Sequence, residues 1–165
     1  MMLITGVVAA SILIVAVLPI VWNMVGTFST ASHDTDTRMR TDFKIVTTYA
    51  KYIASPPSPA GTNVTVWMKN IGTAKIGIAD LKSADVYVGK NTDFGRASWS
   101  SVPVLRGNLQ WWYTLSDLNV NSYWDPGETL QVDTFCISAI GSAQPIYFQF
   151  TLPSSVSRSL EFTSV

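Results

Sequence analysis

The twelve residues Asp117 to Glu128 read DLNVNSYWDPGE and carry oxygen-bearing side chains at relative positions 1, 3, 5, 9 and 12. These are Asp117, Asn119, Asn121, Asp125 and Glu128, and Tyr123 at position 7 offers its backbone carbonyl. That is the ligand spacing of a calcium loop, in which a tight coil turns alternate side chains to one centre and a final Glu closes the cage. Ser122 stands at position 6, where the motif has Gly for a sharp turn. Two readings fit these residues: a Ca2+ site flanked by strands in place of helices, or an Asx-rich turn closed by Pro126-Gly127.

Other chemistry is sparse. His33, the sole histidine, stands beside Asp34 in a polar stretch, and general acid–base work needs a positioned, partnered group. No nucleophile elbow, zinc-binding helix or phosphate loop occurs in the sequence. The expectation is therefore a protein that is not an enzyme. Asn63-Val64-Thr65 is an N-x-S/T sequon, which makes Asn63 a candidate glycosylation site. Trp99, Trp111, Trp112, Tyr113, Tyr123 and Trp124 crowd one third of the chain. They fit a packed core, or subunit contacts, where Trp and Tyr are frequent anchors. A stacking platform for carbohydrate is a further reading, without a polar motif in the sequence to support it. Cys136 is alone, so no intrachain disulfide forms, and its alternating apolar setting suits a small core residue.

The elements that must position these residues fall into two regimes. Met1 to Phe28 carries no charged side chain. About 20 apolar residues in a helix cross a bilayer core of roughly 30 Å. The helix expected from residue 3 onward places Leu3, Ile4, Val7, Val8, Ile12, Leu13, Val15, Leu18, Val21, Trp22 and Val25 on an assembly surface, buried in lipid or against copies of itself. Gly6, Ala9, Ala10, Ser11, Ala16 and Gly26 let other helices approach closely. Pro19 removes one backbone hydrogen bond and predicts a kink near residues 15–19. Thr27 to Arg40 continues as a polar stalk. A secretory signal would show a basic start and a small-residue cleavage site. Here the segment reads as an uncleaved anchor, or as what remains once a short basic leader is removed.

Beyond the stalk the period changes to two. Phe43 to Tyr49 alternates. Val64, Val66 and Met68 share a face, as do Val86 with Val88, Leu130 with Val132, Thr134 and Cys136, and Ile146 with Phe148, Phe150 and Leu152. Ser55 to Gly61, Asn70-Ile71-Gly72 and Asp125-Pro126-Gly127 punctuate the strands. Six or seven short strands predict an immunoglobulin-like antiparallel β-sandwich over 41–165, after the helix and stalk of 1–40. The fold class expected is thus α+β. Eleven basic and eleven acidic side chains give zero net charge. That excludes a nucleic-acid footprint, and no polybasic run adjoins the helix to bind anionic lipid.

Taken together, the chain resembles archaellum and archaeal type IV pilus-like proteins. The likeness rests on Arg40-Thr41-Asp42-Phe43-Lys44-Ile45, on Asn63 to Thr73 with its Lys69-Asn70-Ile71-Gly72-Thr73 turn, on Asp85-Val86-Tyr87-Val88, and on Trp124-Asp125-Pro126-Gly127-Glu128-Thr129-Leu130. Two branches of the resemblance imply different roles. An archaellin implies a subunit polymerised through its N-terminal helix into an extracellular filament for motility or adhesion. An archaellum stator accessory protein of the F or G type implies a membrane-anchored chain whose sandwich binds the cell envelope or S-layer. Met1-Met2 departs from the usual mature archaellin opening, and Arg40 to Ile45 leans toward the stator branch, whereas the absence of a basic leader leans toward the filament subunit, which is the leading expectation with the stator as the alternative.

Overall fold

In the computed structural model, the described residues are 2–53, 61–102, 109–136, 140 and 143–165, with the side chains of 2–14, 33, 34 and 37 outside the description. The chain forms two compact units, Met1–Thr37 and Arg38–Val165.

The first unit belongs to one helix, α1, Met2–Arg40. Its 39 residues reach about 58 Å at 1.5 Å per residue. β-branched Val, Ile and Thr, which are weak helix formers, outnumber the good ones, yet the helix continues without interruption through Pro19. Thr27, Thr30 and Thr35 each donate a hydroxyl to the carbonyl four residues back, at 2.8, 3.0 and 2.8 Å. These bonds satisfy the hydroxyls within the helix, although Thr is a weak helix former and such back-bonding mildly disfavours the helix.

The second unit is a β-sandwich. Its strands are β1 Phe43–Ile53, β2 Gly61–Asn70, β3 Ile76–Gly77, β4 Asp85–Lys90, β5 Asp93–Trp99, β6 Gln110–Ser116, β7 Tyr123–Trp124, β8 Thr129–Cys136, β9 Pro145–Thr151 and β10 Ser157–Thr163. A short helix, α2, covers Ile78–Lys82. One layer runs β1-β2-β8-β6 and the other β5-β4-β9-β10. They join where β5 and β6 pair in parallel, at Ser98↔Gln110 and Trp99↔Trp111. The outer strands β1 and β10 also approach, and Val165 N–H donates to the Ala50 carbonyl at 3.1 Å. Arg158 pairs there with Asp42. The result is a mostly antiparallel, barrel-like sandwich. The parallel β5–β6 pair departs from the wholly antiparallel expectation.

Alternation put the core where it is found. Val64, Val66, Met68, Val86, Val88, Leu130, Val132, Ile146, Phe148 and Phe150 are all fully buried. Aromatic rings tie the layers together. Phe43 lies 5.8 Å from Trp124 and 5.5 Å, edge-on, from Phe150, and Phe150 lies 6.0 Å from Trp111. Edge-to-face pairs of this kind add to the burial of their apolar area.

The turn Asn70 to Thr73 holds the base of the sandwich. Asn70 is fully buried, and its Nδ2 donates to the carbonyls of Ala74 and Trp124, at 3.0 and 2.8 Å. Its Oδ1 accepts from Gly72 N–H at 3.0 Å. Its backbone pairs with Glu128 O and Gly127 N. Ile71 and Gly72 donate to the Asp42 carbonyl, and Thr73 and Ala74 to the Arg40 carbonyl. Gly72 is required by space: an added Cβ would lie 2.4 Å from Arg40 O and 2.5 Å from Asp42 N.

Asn70→Ala would remove the side-chain donor of the Ala74 and Trp124 carbonyls, while Gly72 N–H keeps its bond to the Asp42 carbonyl. We expect it to cost the isolated 38–165 chain about 3 kcal/mol, read as a lowered urea midpoint with an unchanged slope. The parent 38–165 chain should be soluble, with β-rich circular dichroism; a helical spectrum would sink the independent-domain assignment.

Candidate functional site

Three surfaces carry the residues singled out from the sequence. The first is α1. The backbones of Leu3, Ile4, Val7, Val8, Ile12 and Leu13 are helical, and their side chains lie outside the described residues. Val15, Leu18, Val21, Trp22 and Val25 are exposed, with Val15 and Trp22 at 70% and Phe28 at 78%. Met24 and Ile20 are exposed as well, so apolar residues surround the helix. A helix apolar on all sides belongs in lipid or among other helices. By length and composition Val15–Ser32 qualifies as a membrane-crossing segment.

The second is the acidic loop, which the fold does bring together. Asp117 acts as an anchor for backbone amides. Its Oδ1 accepts from Asn119 N and Asn121 N at 3.1 and 3.2 Å, and its Oδ2 from Ser122 N at 2.9 Å. Asp125 Oδ2 accepts from the side-chain amides of Asn119 and Asn121, at 3.1 and 2.6 Å, and its Oδ1 faces Lys75 Nζ at 3.2 Å. Buried Glu128 accepts from Leu118 N–H at 2.9 Å and from Asp125 N–H at 3.0 Å. Tyr123 opens β7, and its N–H donates to Asn121 Oδ1 at 2.9 Å. The loop is thus a network in which carboxylates are satisfied by amides and one ammonium. Among the described residues, no group of three or more His, Cys, Asp or Glu is arranged to hold a metal ion.

The Ser122 amide, then those of Asn121, Val120 and Asn119, holds the Asp117 carboxyl below its ordinary pKa, against an opposing effect of burial. The Asn121 side chain does the same for Asp125, helped by Asn119 and Lys75. Ser122 adopts φ 63° and Val120 φ 51°. The position where the motif has Gly therefore does take the left-handed conformation, with Ser in it. Val120 is a β-branched residue held there against its preference. Leu118 and Val120 project outward, 84% and 88% exposed.

The third comprises Asn63 and the aromatics. Asn63 lies mid-strand in β2, paired on both sides with Lys51 and Phe135, and its Oδ1 is buried. The sequon hydroxyl of Thr65 donates to Asp133 Oδ1 at 2.7 Å. Trp111 and Trp124 are fully buried core residues, whereas Tyr123 and Trp99 are exposed. Trp124 Nε1 donates to Glu128 O at 2.9 Å. Cys136 is buried, and burial pushes its thiol pKa up to about 12, so it is an inert core residue.

Sequence reasoning missed Lys75, which pairs with Asp125 from fifty residues away in the chain. It also missed a hollow of about 300 Å³ lined by Lys82, Trp99, Ser100, Ser101, Trp112, Tyr113 and Thr114. The cluster of aromatics was its only signal.

No model of a known protein family matches the chain. An uncharacterized protein of Archaeoglobus fulgidus is 23% identical over 146 residues, which cover 88% of this chain and 83% of that protein. Among solved structures, the chain is similar to the archaellum periplasmic stator protein FlaG from Sulfolobus acidocaldarius. That match has a TM-score of 0.51 and 18% identity, and covers 74% of this chain and 99% of that one. It is also similar to the archaeal flagellum of Methanospirillum hungatei, with a TM-score of 0.54 and 14% identity over 96% of this chain and 89% of that one. The chain has the fold of archaellum proteins.

The loop network has a direct test. Glu128→Gln places an NH2 against a backbone N–H, and should cost about 2 kcal/mol in chemical denaturation. The lowered pKa values of Asp117 and Asp125 mean that their stabilisation is present above the ordinary carboxylate value of about 4 and is lost as pH falls through the folded-state values. Asp117→Asn should therefore flatten the acid limb of the melting profile. An acid limb identical in the variant and the parent would show that Asp117 does not carry that dependence.

Proposed function

We propose that this chain is a structural subunit of an archaellum-like surface filament of the type IV pilin kind, serving motility or adhesion. The observation that carries the reading is α1: an exposed helix, apolar on all sides, attached to a domain whose own core is complete. Such a helix needs other apolar partners, and copies of itself supply them in register. The likeness to the Methanospirillum filament supports this, because a match over 96% of the chain cannot omit the helix. The β-domain would then face the outside, with the membrane as the helix's location before assembly.

The second reading is a membrane-anchored archaellum stator protein whose sandwich binds envelope or S-layer protein. It is favoured by the likeness to the stator protein FlaG, 99% of which is matched by this chain. In both readings the protein is a structural component and not an enzyme. Asn63 glycosylation is proposed only for the chain before β2 joins β1 and β8, since the folded sheet encloses the side-chain oxygen.

Val15→Asp tests the buried helix, and the fate of the wild-type chain separates the two roles. A charge among packed apolar helices costs several kcal/mol. We expect the variant to lose filaments in electron micrographs of the cell surface, with the β-domain still folded. Normal filaments from that variant would sink the buried-helix role. A wild-type chain that stays in the membrane fraction and binds envelope protein through its domain would favour the stator.

Calcium is proposed for a rearranged loop, in which Lys75 leaves Asp125 and the Asn119 and Asn121 amides turn their oxygens inward. Competition from the existing bonds makes this a weak site, in the range of about 0.1–1 mM typical of extracellular modules. Calcium at ten times its dissociation constant should then stabilise the fold by about 1.4 kcal/mol. Melting the protein in calcium and in chelator measures it, and a melting temperature that does not move leaves the loop as an amide-held turn.

A further inference from the structure

The hollow beside α2 has the composition of a sugar site. It encloses about 300 Å³, at the lower end of the range of roughly 300–1,000 Å³ for small-molecule sites. Trp99, 37% exposed, supplies indole surface, and Trp112 is a largely buried part of the wall, 9% exposed. Ser101 and Thr114 offer exposed hydroxyls at the wall. Ser100 is turned away, its Oγ donating to the Val102 carbonyl at 2.8 Å. Lys82 brings an ammonium 5.3 Å from the Trp99 ring centroid, a cation–π contact at an exposed position. Flat apolar rings with hydroxyls around them match a pyranose, whose C–H face is apolar and whose rim is polar. The ammonium matches a carboxylate on that ring.

The adjoining sheet face continues the same chemistry. Trp112 pairs in register with Asp133, Thr114 with Gln131, and those two in turn with Thr65 and Trp67 of β2. Directly opposed residues in an antiparallel pair share a face. Trp67 Nε1 donates to Gln131 Oε1 at 3.1 Å, and Gln131 Nε2 to Asp133 Oδ2 at 2.7 Å. With the Thr65–Asp133 bond, these contacts hold a row of polar groups between two indoles, in which Thr65, Asp133 and Trp112 are buried and Trp67 and Gln131 are the half-exposed members open to a ligand. The row carries the negative Asp133, so a second acidic unit is disfavoured there. Lys82 sits only at the hollow.

We propose that this hollow and the strip beside it bind a glycan, with a terminal uronic acid in the hollow: its ring on Trp99, its carboxylate on Lys82, and neutral units on the strip. The proposal does not depend on whether the chain polymerises or anchors. The test uses the full chain in a detergent without a sugar headgroup, titrated with methyl glucuronide and with methyl glucoside while tryptophan fluorescence is followed. The glucuronide should bind about tenfold tighter, as one charge-assisted hydrogen bond provides. Lys82→Met should abolish that preference and retain the weaker glucoside response. Trp99→Ala should abolish both, with circular dichroism unchanged. Equal binding of the two sugars, or no saturable response at millimolar sugar, overturns the proposal. So does N-acetylglutamate binding as tightly as the glucuronide, which would make the hollow a carboxylate or peptide site.

Discussion

Asn70 joins segments that the sequence keeps far apart. Its side chain spans the carbonyls of Ala74 and Trp124, while its backbone reaches Gly127 and Glu128. The turn that it begins donates four N–H groups to the carbonyls of Arg40 and Asp42, at the end of α1 and just beyond it. A buried amide with its bonds made is inexpensive, whereas one left unmade costs the full desolvation of the group. Residues 69–73 and 124–130 were two separate motifs in the sequence. In the fold they are one hydrogen-bonded junction, packed under Phe43 and Trp124. Glu128 extends it, since its backbone serves Asn70 and Trp124 while its carboxylate organises the acidic loop. Loss of the junction would release the loop and the base of the sandwich together.

The helix poses the opposite problem. The domain satisfies its own apolar strands, and nothing in its composition compensates for the exposed side chains from Val15 to Phe28. Apolar burial yields roughly 25 cal/mol per Å², so a helix of this kind gains substantially from any apolar surroundings. Lipid and neighbouring helices both qualify. The polar stalk turns its threonine hydroxyls back on the helix as the sequence passes from apolar to charged.

Much of this was legible in the sequence, and the failures have physical causes. Strands β1, β2, β4, β8 and β9 were visible because one face is apolar and the period is two. Strand β6 was not, because Trp111 and Trp112 are both buried, on opposite faces, which erases the alternation. Strand β10 was missed for the reverse reason: most of it is exposed, so no core face shows. The acidic loop was found from its oxygen spacing. Yet spacing says only that the side chains converge, and not whether amides or a cation meet them. In the structure the Lys75 ammonium and the backbone N–H groups of Leu118 and Asp125 meet them, and none of these can be read from the spacing of side-chain oxygens. For the same reason the Trp99 hollow showed only as a crowd of aromatics; its lysine comes from α2, far away in sequence.

The loop also shows why a resemblance in these motifs speaks more of fold than of role. Asn70, Gly72, Trp124, Gly127 and Glu128 are fixed by hydrogen bonds, by a left-handed φ of 89° at Gly127, or by want of space at Gly72. Any chain building this junction meets the same demands, whether it polymerises or anchors. Residues free of those demands are the ones able to differ with function: the apolar surface of α1, the projecting Leu118 and Val120, and the ring and ammonium at Trp99 and Lys82. A role must therefore be read from surfaces that the fold does not need. In this chain the helix is such a surface, and its exposed apolar side chains suit lipid as well as neighbouring helices.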